Sequence, residues 1–167
     1  MADARVAALQ DQAQAAADDA GRLLDSAASE LREQGEPVVP LPVSPFHKRL
    51  HQRMGRALVS ARAVERPWHC RHLDVTAPRL GFWLAASPEM ARCARCAQVW
   101  TRYHQGPECC CECGSRRELF WGAHKLPAVI LEREYGRPVS LGGLIVRWTA
   151  CQTCMLSDEP PAAADDR

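Results

Sequence analysis

Cys93-Ala-Arg-Cys96 and Cys110-Cys-Glu-Cys113-Gly114 stand on either side of Gln98-Val-Trp-Thr-Arg-Tyr-His104. Two cysteines separated by two residues share one bend of backbone that aims both sulfurs at one centre, so the spacing is a chemical signal in itself. Further out along the chain the signal recurs as Cys70-x-His72 and Cys151-x2-Cys154. Together the pairs offer seven thiolates and one imidazole, the eight ligands that two tetrahedral zinc ions require.

The rest of the chain organises around these pairs. Its 167 residues allow one domain with accessory segments. All five tryptophans (Trp68, Trp83, Trp100, Trp121 and Trp148) fall within the cysteine-bearing region, so the core is expected there. No apolar stretch approaches the length of a membrane span, and the start lacks the basic flank and apolar run of a signal peptide. A cytoplasmic address follows, and an odd count of nine cysteines arranged in CxxC pairs then points to metal rather than disulfides. Arginine outnumbers lysine 19 to 2 with no asparagine present, a bias that fits a GC-rich coding sequence better than phosphate binding. The net charge of +1 conceals segregation: residues 1–45 carry eight acids and three bases, residues 46–88 two acids and eight bases. A polyanion-binding middle and acidic ends folded back on it both satisfy that pattern.

The expected fold class is α+β: N-terminal helices, then a small β-rich two-zinc domain (67–156). Residues 1–34 form a helical arm, in which Val6, Leu9, Ala13, Ala16, Ala20, Leu23 and Ala27 make a seam at alternating spacings of three and four. A seam mostly of alanine buries little area, which suits a solvated extension or weak self-association through residues 2–34. Prolines 37, 40, 42 and 45 make 35–45 a stiff linker. Residues 46–66 read as a basic amphipathic helix with Phe46, Leu50, Met54, Ala57, Leu58 and Ala61 on its apolar side. Strands are expected at Leu80–Ala86, Gln98–His104, Glu118–Gly122 and Leu141–Trp148, and a short helix at 126–136. The acidic tail, 157–167, carries four acids and one arginine and is expected to be disordered.

Four ligand pairs can share two ions in three ways. The spacing favours a nested arrangement, with Cys93, Cys96, Cys110 and Cys113 on one metal and Cys70, His72, Cys151 and Cys154 on the other. Interleaved and sequential pairings remain open, and His69 could replace His72. Through Cys93, Cys96, Cys110 and Cys113 the stretch 89–124 resembles the zinc-ribbon class, two knuckles facing each other across a hairpin. That resemblance implies a fold element and no activity, since the class serves many functions. The run Cys109-Cys110-Cys111 departs from it and leaves two surplus thiols. The Cys/His mixture favours zinc over a rubredoxin-type iron or an Fe–S cluster.

Eight ligands for two ions leave no open coordination position, so the sites read as structural. His-x-Glu, His-Glu-x2-His, Walker and Gly-x-Ser-x-Gly patterns are all absent. The expectation is therefore a non-enzymatic module that binds DNA or RNA with little regard to sequence. Its phosphate contacts would be Lys48, Arg49, Arg53, Arg56, Arg92, Arg95, Arg116 and Arg117, and Trp100, Tyr103 or Trp121 could stack on bases. The alternatives are a protein-interaction adaptor that uses the acidic arm and basic helix, or a thiol redox-sensitive regulator.

Overall fold

The structure is a computed structural model, and it describes residues 2–38, 44–73, 80–103, 109–126, 130–131, 139–140 and 143–159. The fold mixes helices and a small sheet. In order along the chain are α1 (Ala2–Glu33), α2 (Pro45–Ala63), β1 (Gly81–Leu84), β2 (Ser87–Cys93), α3 (Ala94–Tyr103), β3 (Leu119–Lys125), β4 (Ile130–Leu131), β5 (Val139–Ser140), β6 (Leu144–Cys151) and α4 (Gln152–Leu156). The main sheet has the order β2-β1-β6-β3, with β1 and β6 parallel and the other neighbours antiparallel. No helix among the described residues is long and apolar enough to cross a membrane.

Alternation along β6 divides the sheet into two faces. Leu144, Val146, Trp148 and Ala150 point into the core, where they meet Trp83 of β1 and Phe46, Leu50 and Met54 of α2. Ile145, Arg147 and Thr149 point the other way. Helix α1 covers one end of that second face with its alanine seam: Leu9, Ala13, Ala16, Ala17 and Ala20 are buried, Ala13 and Ala20 completely. Small side chains bury little area but permit close approach. Gly143 (φ +77°) shows how close, since a β-carbon there would lie 2.7 Å from the Ala16 Cβ. Leu9, Ala13, Ala16 and Ala20 of the seam thus pack within the chain, while Leu23 and Ala27 further along it stay exposed.

Two sequence expectations change. Gln98–His104 is expected as a strand, yet residues 98–103 belong to helix α3. Its aromatic and β-branched residues favour strands, but Ala97, Trp100 and Thr101 recur at helical spacing and turn inward, while Arg95, Gln98, Val99 and Arg102 face outward. Within 126–136, expected as a helix, residues 130–131 pair with 139–140 as a short hairpin; 127–129 and 132–136 lie outside the described residues. Residues 39–43 of the proline linker and 160–167 of the tail also lie outside them.

Candidate metal centres

Both candidate centres are built in the same way: a pair on a turn meets a pair where a strand runs into a helix. In the first, Cys70 and His72 follow α2, while Cys93 ends β2 and Cys96 lies in the first turn of α3. Backbone bonds from Cys70 N–H to Ala91 C=O (2.9 Å) and from Ala91 N–H to Trp68 C=O (2.8 Å) hold the turn against β2. The Cys93 N–H points at the Cys70 sulfur at 3.2 Å, and His72 Nδ1 lies 3.3 Å from the Cys96 sulfur. His69 instead bonds its neighbour's carbonyl, Cys70 C=O, at 3.0 Å.

In the second centre, Cys110 and Cys113 sit on a turn closed by Gly114, whose φ of +74° favours glycine and whose N–H reaches the Cys110 C=O at 3.0 Å. Cys151 ends β6, and Cys154 lies in α4. The Cys111 N–H bonds the Thr149 carbonyl at 2.8 Å, tying the turn to β6. In each centre the four ligand atoms all lie within 4.8 Å of one another: Cys70, His72, Cys93 and Cys96 in one, and Cys110, Cys113, Cys151 and Cys154 in the other. Each can hold a metal ion.

This is the sequential pairing, so the nested one is corrected. A CxxC spacing determines which two ligands act together, but which pairs meet depends on the backbone bonds that hold the 68–72 turn to β2 and the 110–113 turn to β6. Helix α3 separates Cys96 from Cys110, so the ligand grouping expected of a ribbon across 89–124 does not form. No family model matches the chain, and no curated protein or solved structure matches it either.

The thiol chemistry fits a cation. Burial tends to raise the Cys110 thiol, but the N–H groups of Cys113, Cys151 and Glu112 outweigh it and bring it down to about 7. Cys154 and Cys113 are pushed up, chiefly by burial and then by neighbouring sulfurs, and Cys96 rises to about 11 for similar reasons. Four sulfurs packed together resist simultaneous ionisation unless a positive ion sits among them. Among the surplus thiols, burial pushes Cys111 up to about 12, which leaves it little thiolate for redox chemistry.

The second centre has a brace that the sequence does not reveal. Arg49 of α2 forms a two-pronged bond with Glu112, between the two turn cysteines, at 2.8 and 2.9 Å. It also donates to the carbonyls of Cys154 (2.6 Å) and Ser157 (2.8 Å). Arg53, one turn on, bonds the Cys111 carbonyl (2.6 Å) and the Ala85 carbonyl (3.0 Å). Arg92 is buried, bonded to Ser87 and Met90 and stacked over Trp100. Three of the eight cations expected to contact phosphate are therefore turned inward as parts of the fold. Lys48, Arg56, Arg95, Arg116 and Arg117 are exposed.

A different cationic surface emerges on the second face of the sheet. Arg95 and Arg102 of α3 and Arg147 of β6 line a groove of about 750 Å³ together with Phe82, Gln98 and Thr101. All three arginines are exposed, and none of their side chains has a hydrogen-bond or ion-pair partner among the described residues. Sequence reasoning misses Arg102 and Arg147, because only the fold brings α3 and β6 to opposite sides of one groove.

Proposed function

We propose that this protein is a non-enzymatic, zinc-stabilised module that binds nucleic acid. The four-donor clusters support structural zinc. One set of four thiolates and one of three thiolates with an imidazole both suit its tetrahedral preference, and neither set leaves a position for water. Zinc in these clusters would stabilise the fold, and the cationic groove would make the contact.

The observation that carries the binding reading is the convergence of Arg95, Arg102 and Arg147 on one groove without acidic partners among the described residues. Guanidinium groups left unpaired around a concavity suit phosphate oxygens, which they hold in bidentate fashion. Neutralising three phosphates would make affinity fall about 20- to 40-fold between about 50 and 200 mM salt. The adaptor reading has less apolar surface to draw on, because Leu9, Ala13, Ala16 and Ala20 of the acidic helix are already buried within the chain. Fluorescence anisotropy with a labelled oligonucleotide tests the proposal. The triple variant Arg95→Glu, Arg102→Glu, Arg147→Glu should abolish binding without changing metal content, whereas a wild-type protein that binds nothing at low salt would refute the reading.

A further inference from the structure

Resting on the binding reading above, we infer that the ligand is single-stranded nucleic acid, with an unpaired base stacked on Trp121 and the adjoining phosphates held by Arg147, Arg102 and Arg95. Strand β3 is the edge of the main sheet, and Trp121 in its middle is 67% exposed. An exposed indole offers a flat apolar face on which a base can stack. The register gives this one a direction. Trp121 lies opposite Thr149, and Ala123 lies opposite Arg147. Opposed residues of an antiparallel pair share a face, so Trp121 stands on the same face as Arg147, as its diagonal neighbour roughly 7–8 Å away.

The parallel partner carries the surface further. Phe82 of β1 is paired with Ile145, and it lines the arginine groove together with Arg147. Arg147 is therefore common to both: it stands on the same face as the Trp121 indole and lines the groove with Arg95 and Arg102. Helix α1 occupies the far end of this face, near Lys125 and Gly143, and α3 packs over β1 and β2. Trp121 and Arg147 stay exposed beside them. Phe120, also exposed at 47%, pairs with Ala150 and belongs to the opposite face, away from the arginines. Arg116 and Arg117, just ahead of the same edge strand, supply cations upstream of the indole.

Charge alone would accept a duplex. Stacking demands a base whose face is free, which a duplex offers only at its ends. The combination of an exposed indole with a line of arginines therefore selects single strands by chemistry and remains tolerant of sequence, because every base has a π-face.

The test is anisotropy with a single-stranded oligonucleotide, the duplex of the same sequence, and heparin. Wild type should bind the single strand at least about tenfold more tightly than the duplex. Trp121→Ala should lose about 10- to 100-fold on the single strand and leave heparin binding unchanged, and Trp121→Phe should retain most of the affinity. Equal affinity for single strand and duplex, both indifferent to Trp121→Ala, would overturn this inference while leaving the binding reading intact. Failure of all three ligands to bind at low salt would remove both.

Discussion

The two candidate metal centres share one plan and differ in what lies behind them. In the first, Cys70 is buried, Cys93 and Cys96 are half-buried and His72 is exposed; in the second, Cys110, Cys151 and Cys154 are buried and Cys113 is half-buried. The second is also braced by Arg49 and Glu112, whose side chains are only 12% and 4% exposed. Two centres of the same local design thus have different duties. The second joins α2, β6 and α4 within the core, whereas the first fastens the turn after α2 to β2 near the surface. A ligand set gives the chemistry of a site, and its surroundings decide how much of the fold depends on it.

That comparison can be broken most directly by removing one ligand from each centre. Cys154→Ser should abolish cooperative unfolding, because Cys154 is wholly buried in the core and a structural zinc there would contribute on the order of 10–16 kcal/mol of apparent binding free energy. Cys96→Ser should leave a folded protein that has lost the metal of its first centre only. Circular dichroism and thermal melts of the two variants check this, and equal damage would erase the distinction.

The brace comes next in size. Arg49→Met leaves the Glu112 carboxylate buried without its partner and should cost about 3–5 kcal/mol. The double variant Arg49→Met, Glu112→Leu should recover part of that loss in denaturant titrations, since it removes both charges.

Acid should weaken the fold where α2 meets β3. His47 and His51 of that helix meet His124 of β3, with 2.9 Å between the Nε2 atoms of His51 and His124 and 4.8 Å between the ring centres of His47 and His124. Burial, then the neighbouring imidazoles, pushes His124 down to about 4, and burial also lowers the other two. Between an unfolded value of about 6.5 and that lowered value, the unfolded chain binds more protons than the fold. Stability should therefore decline as pH falls from about 6.5 towards 4, and His124→Leu should flatten the decline in melts followed across that range.

The smallest effect concerns the start of α2. The Ser44 N–H and hydroxyl both meet His47 Nδ1, at 3.3 and 2.9 Å, with histidine in the role that glutamate plays in a capping box. Ser44→Ala should cost about 1 kcal/mol and leave both metals in place.

Much of this was legible in the sequence where the signal is local. The alanine seam marks α1, the stripe from Phe46 to Ala61 marks α2, and the tight pairs mark all eight candidate ligands gathered in the two clusters. What the sequence hid depends on distant contacts. Arg49 and Arg53 read as members of a basic outer face because Glu112 and Cys111, their partners, lie 63 and 58 residues away. Helix α3 was obscured by the strand preference of Val99, Trp100 and Tyr103, which gives way to the inward packing of Ala97 and Trp100 at helical spacing.

The sequential pairing of the four ligand pairs is the central claim, and zinc content of wild type and of the double variant Cys70→Ser, Cys93→Ser tests it most directly. Both substitutions fall in the first centre, so wild type should carry two zincs per chain and the double variant one. A double variant that stays folded yet carries no zinc would mean that Cys70 and Cys93 serve different metals, and would contradict the account.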